Sequence, residues 1–272
     1  MPSSPEPAGG FGRSILILIP HPDDEVVGVC AAIGRAKAAG ARVCGLYLTH
    51  GCLSRETLWP WRRSDYEALV ARRRTEAEAA ADLLGLEPAG WSSRPARRLW
   101  RELAAAEAEA RAAIARLDVD QLWAPAFEGG NPDHDGASAL AARLARDGLP
   151  VLEFAEYNLA GGRPRSHSFP TPDASETRLT LTAEERALKR RALSLYASER
   201  GNLGYVGVRE ERLRPLAAYD YGDPPHPGKL WYARFQWVPF SHPRVDFTRP
   251  DEVSAALVAY LEGGAPSPLR PG

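Results

Sequence analysis

Apolar runs alternate along the chain with segments in which apolar residues recur at helical spacing. The apolar runs predict strands at 14–19, 41–49, 120–125, 149–157 and 228–238. The helical spacing predicts helices at 26–39, 64–84, 99–117, 136–146, 182–196 and 249–264. Strands that alternate with helices in this way favour an α/β protein built around a mostly parallel sheet.

Polar residues mark where several of these helices begin and end. Ser64 with Glu67, and Thr182 with Glu185, have the spacing of a capping box. Gly85 follows the second predicted helix and is expected to end it. The elements therefore predict a Rossmann-like three-layer fold with a decorated C-terminal third.

The boundaries predict one domain over residues 14–264, with flexible termini at 1–13 and 265–272. Residues 161–181 are rich in Gly, Pro, Ser and Thr and lack periodicity. They are interpreted as a long surface loop, either a mobile lid or a disordered segment.

Composition excludes some classes of partner. The 272 residues carry a net charge of −1, which argues against a nucleic-acid-binding surface. No apolar run approaches the length of a membrane span. Cys30, Cys44 and Cys52 form no CxxC pair, so we expect reduced thiols and a cytoplasmic location.

Two polar clusters follow predicted strands, "PHPDDEVVG" at 20–28 and "EGGNPDHDG" at 128–136. The carboxyl ends of parallel strands meet at one edge of a sheet, so the clusters are expected to share a crevice. Imidazole and carboxylate groups are the ligands of an open catalytic zinc site. The alternative is helix capping, which needs one carboxylate and explains neither the histidines nor the doubled Asp. No G-x-G-x-x-G follows the first strand, which disfavours a dinucleotide-binding domain.

The first cluster, with "NPDHDGASAL" at 131–140, resembles the PIG-L/LmbE family of zinc-dependent N-acetylglucosaminyl deacetylases. "THG" at 49–51 and "RRTEAEAAADLLGL" at 73–86 support the resemblance, which covers roughly residues 14–200. It implies that His21, Asp24 and His134 bind Zn²⁺, with Fe²⁺ as an alternative, and that Asp23 is the general base. Asp133 or Asp135 is expected to orient the far nitrogen of His134.

Asn131 departs from the family pattern. Many bacterial members carry a histidine there, which the family is thought to use to stabilise the tetrahedral intermediate or protonate the leaving group. The Asn131 amide can donate a hydrogen bond to an oxyanion but cannot act as an acid. Asp23 would then carry both proton transfers, or His50 or His226 would replace the acid.

Three further residues are predicted near the substrate: Arg73, His50 and Trp59. Arg73 lies on the apolar stripe of the second helix, where a charge needs a partner, either Glu76 or a substrate oxygen. Trp59 and Trp61 either stack on a sugar or, the favoured interpretation, pack their loop onto the domain.

The sequence therefore predicts a metal-dependent hydrolase of a non-peptide C–N bond. Its predicted substrate is a small glycoconjugate, from which it removes acetyl at an N-acetylglucosamine unit. Alternatives are an amidase for another sugar-linked amide, such as a thiol conjugate, and a non-catalytic sugar-binding module. We expect neither nucleic acid nor membrane as a partner, and assembly into a homo-oligomer is left open.

Overall fold

The computed structural model describes residues 10–237 and 245–263. It contains a seven-stranded sheet in the order β3-β2-β1-β4-β5-β9-β8 and a separate two-stranded ribbon of β6 and β7. The strands are β1 Ser14–Ile19, β2 Arg42–Tyr47, β3 Glu87–Trp91, β4 Gln121–Pro125, β5 Val151–Phe154, β6 Tyr157–Asn158, β7 Arg165–Ser166, β8 Thr177–Thr180 and β9 Glu210–Pro215. The helices are α1 Asp24–Ala38, α2 Tyr66–Leu84, α3 Leu103–Leu117, α4 Pro132–Ala145, α5 Ala183–Leu195 and α6 Pro250–Leu261.

The sheet is the middle of three layers. Strands β3, β2, β1, β4 and β5 are parallel, whereas β9 and β8 are added antiparallel at one edge. Helices α1, α2 and α5 cover one face, and α3, α4 and α6 cover the other. Because it is covered on both faces, β1 is buried from Ile15 to Ile19. The predicted three-layer α/β fold is confirmed.

Two of the three predicted helix ends are confirmed. Thr182 and Glu185 form a complete capping box at the start of α5. Gly85 ends α2 in the left-handed conformation, φ 61°, which glycine adopts without the steric cost of a side chain. The predicted capping box of Ser64 and Glu67 is wrong: Ser64 lies within a 3₁₀ helix at Pro60–Asp65, and α2 has no side-chain cap.

The C-terminal third differs most from the prediction. The segment 161–181, predicted as a long loop, contributes β7 and the edge strand β8. Residues 228–237 of the predicted late strand form bends and turns rather than a strand, and residue 238 lies outside the described residues. Most of the predicted terminal helix, 249–264, is α6. The predicted flexible tail, 265–272, also lies outside the described residues.

Helix α1 is kinked at Val29, where φ is −138°, and a buried ion pair holds the break. Lys189 Nζ donates to the Val27 carbonyl and to the Glu211 carboxylate, both at 2.8 Å. The same carboxylate accepts from the N–H groups of Ala31 and Ala32 at 3.0 Å. The pair thus replaces helix hydrogen bonds lost at the kink and fixes the direction of the N-terminal half of α1.

No helix within residues 10–237 and 245–263 is long and apolar enough to cross a membrane. The three cysteines, Cys30, Cys44 and Cys52, are all free.

Candidate active site

The two polar clusters lie at the point where the strand order reverses. Strand β1 has β2 on one side and β4 on the other, so the connections leaving β1 and β4 diverge to opposite faces. This divergence opens a crevice at the carboxyl ends of the two strands, the usual ligand site of such sheets. His21 follows β1, Asp24 begins α1, and His134 lies in the first turn of α4 after β4.

Three potential metal-ligand atoms converge in this crevice. His21 Nδ1 lies 3.2 Å from His134 Nε2 and 3.3 Å from Asp24 Oδ2, and the last two atoms are 3.2 Å apart. Ligands at 2.0–2.2 Å around a tetrahedral zinc ion are separated by about 3.3–3.6 Å, so the triangle matches a shared ion. His21, Asp24 and His134 are the one group of at least three such residues with this convergence in the described chain.

The surrounding charges favour a cation at this triangle. Burial opposes a charge on His21, but hydrogen bonds to Asp133 and Asp24 outweigh it and raise the pKa of His21 to about 10. Burial likewise opposes the charge of Asp24, yet His134 and His21 hold the pKa of that carboxyl well below its usual range. The donor set and its electrostatics therefore both fit a divalent transition metal.

Asp133 orients His21, not His134 as predicted. Its Oδ2 lies 3.0 Å from His21 Nε2, and Oδ1 accepts from the Leu99 N–H at 2.9 Å. With Nε2 directed at Asp133, His21 has its Nδ1 atom at the triangle, where it would be available to a metal ion. Asp135 is also turned away from His134, because its Oδ1 accepts from the Gly129 N–H at 3.0 Å.

Glu156 occupies the place beside His134 that was predicted for Asp133 or Asp135. Its carboxylate is buried, and Oε2 lies 3.5 Å from His134 Nδ1. Burial raises the pKa of Glu156 well above its usual range, and the charges of Asp24 and Glu128 act in the same direction. Glu156 was not predicted as a site residue, although an acidic residue within the apolar run 149–157 was a usable signal.

Asp23 is held in a strained backbone conformation at the rim of the triangle. Its φ is 129°, a region that non-glycine residues rarely adopt, and its side chain caps no helix. Its N–H donates to Glu25 Oε2 at 3.2 Å. Burial raises the pKa of Asp23 well above its usual range, whereas the Arg73 guanidinium opposes that shift. The capping role expected for an Asp of this cluster is therefore absent at Asp23.

Arg73 pairs with Asp23 rather than with Glu76. Arg73 Nη2 lies 3.3 Å from Asp23 Oδ2 and also donates to the Pro22 carbonyl. Its Nη1 lies 3.4 Å from Glu199 Oε1. Glu76 is instead bound by Arg72, so the predicted Glu76 partner is wrong. The 3% exposure of Arg73 makes it a support for Asp23 rather than an open substrate contact.

Asn131 is the N-cap of α4. Its side-chain oxygen accepts from the Asp133 N–H at 2.9 Å, and α4 consequently begins at Pro132 instead of 136. This is the capping function that the sequence analysis weighed against chemistry, and it falls on the amide rather than on an Asp. The Asn131 side-chain oxygen is engaged in this contact. His134, in the first turn of the helix that Asn131 caps, contributes one atom of the triangle.

The two histidines weighed as replacement acids have their own partners. His50 Nδ1 accepts from the Cys52 N–H at 3.1 Å, and Nε2 lies 3.1 Å from the Tyr66 hydroxyl. Burial lowers the pKa of His50, which keeps it neutral near pH 7. His226 is buried, with Nδ1 3.0 Å from the Pro227 carbonyl.

Trp59 and Trp61 do not pack their loop onto the domain, as had been favoured. Their rings stack on each other at 5.2 Å and 8°, and they are 47% and 70% exposed. The aromatic residues that contact the triangle come from elsewhere. Tyr157 lies edge-on to His134 with ring centroids 5.4 Å apart, and it also packs against Tyr205 and Trp231.

This aromatic cluster of Tyr157, Tyr205 and Trp231 was not predicted. The segment that contains Trp231 was predicted as a strand. The backbone N–H of Trp231 instead donates to the Gly129 carbonyl at 2.9 Å, which fixes the segment against the second polar cluster. Gly130 allows the second polar cluster to lie close to the backbone of Tyr157, because a Cβ at residue 130 would be 2.4 Å from the Tyr157 carbonyl oxygen.

Comparison with known proteins agrees with this geometry. Residues 16–145 match the family described as PIG-L: GlcNAc-PI de-N-acetylase. A protein of Kineococcus radiotolerans, named 1D-myo-inositol 2-acetamido-2-deoxy-alpha-D-glucopyranoside deacetylase, is 29% identical over 171 residues. That match covers 63% of the chain and 46% of the relative, so the chain spans about half the length of that protein.

Solved structures share the fold. The A40926 pseudoaglycone deacetylase Dbv21 is similar with a TM-score of 0.57 and 22% identity, over 76% of this chain and 99% of that one. A deacetylase of teicoplanin biosynthesis, solved as a bog complex, has a TM-score of 0.58 and 17% identity, over 76% of this chain and 99% of that one. The N,N'-diacetylchitobiose deacetylase of Pyrococcus horikoshii has a TM-score of 0.50 and 19% identity, over 75% of this chain and 83% of that one. At these identities the likeness shows the fold alone.

Proposed function

We propose that this protein is a metal-dependent N-deacetylase, because residues 16–145 match the family described as PIG-L: GlcNAc-PI de-N-acetylase. Its reaction is hydrolysis of the acetamide on an N-acetylglucosamine-type unit of a small glycoconjugate. The observation that carries the proposal is the convergence of His21, Asp24 and His134 at ligand spacing beside the buried carboxyl group of Asp23. The Kineococcus relative supports the substrate class, because its name specifies a 2-acetamido-2-deoxy-glucopyranoside.

His21, Asp24 and His134 would hold the metal, Asp133 would orient the imidazole of His21, and Glu156 lies beside that of His134. When bound, a zinc ion at such a site lowers the pKa of a coordinated water and polarises an acyl oxygen. The chain supplies the remaining chemistry through Asp23. We assign Asp23 as the base that takes a proton from the attacking water.

The same carboxyl group then passes that proton to the departing amine. The water oxygen bonds to the acyl carbon, the C–N bond breaks, and acetate and a free amino sugar are released. Burial of Asp23 favours its protonated form, and the guanidinium of Arg73 favours the carboxylate, so the residue is suited to both steps. Asn131 takes no proton in this scheme.

An acetate-release assay on a panel of N-acetylglucosaminyl compounds tests the proposal. The protein is stripped of metal and assayed while Zn²⁺ or Fe²⁺ is titrated from substoichiometric amounts. Zinc is titrated because a related structure is described as the zinc-inhibited form of teicoplanin deacetylase Orf2. We expect acetate release that requires one metal per chain. Hydrolysis of a glucosamine amide with a different acyl group, assayed in parallel, without acetate release from the panel would support the alternative amidase. Metal binding without hydrolysis of any of these compounds would support the sugar-binding module.

A further inference from the structure

Arg234 contacts two aromatic rings of its own segment, those of Trp231 and Phe235. Its guanidinium carbon lies 3.9 Å from the ring centroid of Trp231 and 4.8 Å from that of Phe235. Stacking of this kind restricts a flexible side chain and leaves the N–H edge of the guanidinium available for hydrogen bonds. Arg234 is therefore positioned before any ligand arrives.

The charge of Arg234 is not neutralised within residues 10–237 and 245–263. No carboxylate of those residues lies within ion-pair distance, and the guanidinium makes one long hydrogen bond there, 3.4 Å to the Trp231 carbonyl. Partial burial lowers the pKa of Arg234, which shows that water solvates it incompletely. A partly desolvated guanidinium without an acidic partner favours an anion.

Contacts connect Arg234 to the metal-ligand triangle through one aromatic layer. Trp231, on which Arg234 stacks, lies 5.3 Å from Tyr157 between ring centroids, and Tyr157 lies 5.4 Å from His134. The backbone of Trp231 is fixed to Gly129, on the loop that leads into α4. Arg234 is therefore separated from His134 by two packed aromatic rings, those of Trp231 and Tyr157.

Tyr205 belongs to the same aromatic layer. It packs against both Tyr157, at 4.7 Å, and Trp231, at 5.4 Å, between ring centroids. A phenol hydroxyl is protonated at neutral pH, so Tyr205 can donate a hydrogen bond.

We propose that Arg234, Tyr205 and Trp231 form a subsite for an anionic oxygen group on the aglycone, a phosphate or a carboxylate. The inference rests on the proposed deacetylase function and adds a substrate class to it. The planar guanidinium matches the two oxygens of such a group, and the indole contacts the adjoining sugar or linker.

Kinetics on three derivatives of N-acetylglucosamine test the subsite. They are methyl N-acetylglucosaminide, N-acetylglucosamine 1-phosphate and the N-acetylglucosaminide of glycolic acid. The wild type is compared with Arg234→Gln, Arg234→Lys and the control Arg200→Gln. Arg200 is exposed and makes no ion pair with the described residues. We expect the ratio of kcat/KM between anionic and methyl compounds to fall roughly tenfold in Arg234→Gln, mostly through KM. The ratio should fall less in Arg234→Lys and stay unchanged in Arg200→Gln.

The phosphate and carboxylate arms identify which anion is preferred. An unchanged ratio in Arg234→Gln for both anions overturns the subsite and leaves Arg234 with a packing role, while the deacetylase proposal stands. If no compound is hydrolysed, the deacetylase proposal fails and calorimetry decides on the subsite. N-acetylglucosamine 1-phosphate should then bind the wild type roughly tenfold more tightly than Arg234→Gln, and equal affinities would overturn it.

Discussion

Helix α1 contacts two groups of buried charged side chains that use their hydrogen-bonding capacity in opposite ways. At its kink, Lys189 and Glu211 neutralise each other, and each also binds backbone groups freed by the kink. At its first residue, Asp24 meets His21 and His134 so that potential ligand atoms face one another. The first group is neutralised by its own members, whereas the second directs three potential ligand atoms toward one point, as the proposed metal centre requires.

This difference separates a structural role from a functional one better than burial does, because both groups are buried. A satisfied ion pair stabilises one backbone geometry, here the kink that directs the start of α1. In the proposed metal centre, a bound cation would offset the cost of bringing these ligand atoms together. The following predictions test this distinction, beginning with the largest expected effect.

Replacing Asp23 with Asn should lower kcat/KM for acetate release by about 10³, because an amide cannot accept the proton of the attacking water. Zinc content, measured by elemental analysis, should stay near one per chain, since the three ligands are unchanged. Asp118→Asn is a matched control, because Asp118 is exposed and also has a positive φ, 51°. Full activity in Asp23→Asn would remove the base assignment.

Replacing Lys189 with Met should lower the free energy of unfolding by about 3–5 kcal/mol, because the Glu211 carboxylate would stay buried without its counter-charge. Urea denaturation measures this loss. Adding Glu211→Gln should recover much of it, since the amide oxygen still accepts from the N–H of Ala31 or Ala32. An equal loss in the double variant would show that the charge is not the cause.

Zinc should stabilise the protein when added to the metal-stripped chain, because an ion that binds the folded state shifts the unfolding equilibrium. At a free concentration of 100 Kd the gain is about 2.7 kcal/mol, or roughly 5 °C in Tm. Differential scanning fluorimetry measures the shift. Asp24→Asn should abolish it and Glu211→Gln should retain it. The same shift in both variants would place the metal elsewhere.

The smallest expected effect concerns His167, whose pKa is lowered, whereas that of His21 is raised. Burial, with the charge of Lys189, lowers the pKa of His167 to about 3, whereas an unfolded histidine takes up a proton near pH 6.5. Stability should therefore fall by about 1 kcal/mol between pH 6 and pH 5 through this residue. His167→Asn tolerates the positive φ of 51° and should lack that contribution. Identical pH profiles of unfolding would contradict the assignment.

Much of the fold was predictable because its central strands are apolar along their whole length. The missed strands are at or near the edges of the sheet, where sequence signals are weaker. Strand β3 contains Pro88 and has β2 as its one partner. Strand β9 has the charged sequence EERLRP, and its Glu211 and Arg214 are buried because Lys189 and Glu153 pair with them. Those partners are distant in the chain, so no local pattern indicates the strand.

The sequence by itself determined the chemistry at the carboxyl ends of β1 and β4, because short loops after parallel strands leave their polar residues at one edge. It therefore placed His21, Asp24 and His134 in one crevice. Tertiary packing decided the partner of each polar group: Asp133 lies against His21, Glu156 against His134, and Arg73 against Asp23. The Trp231–Arg234 segment joins the site for the same reason, since its contacts with Gly129 and Tyr157 are long-range. Local spacing determines which residues lie together on one loop, whereas long-range packing determines which residues of different segments are in contact.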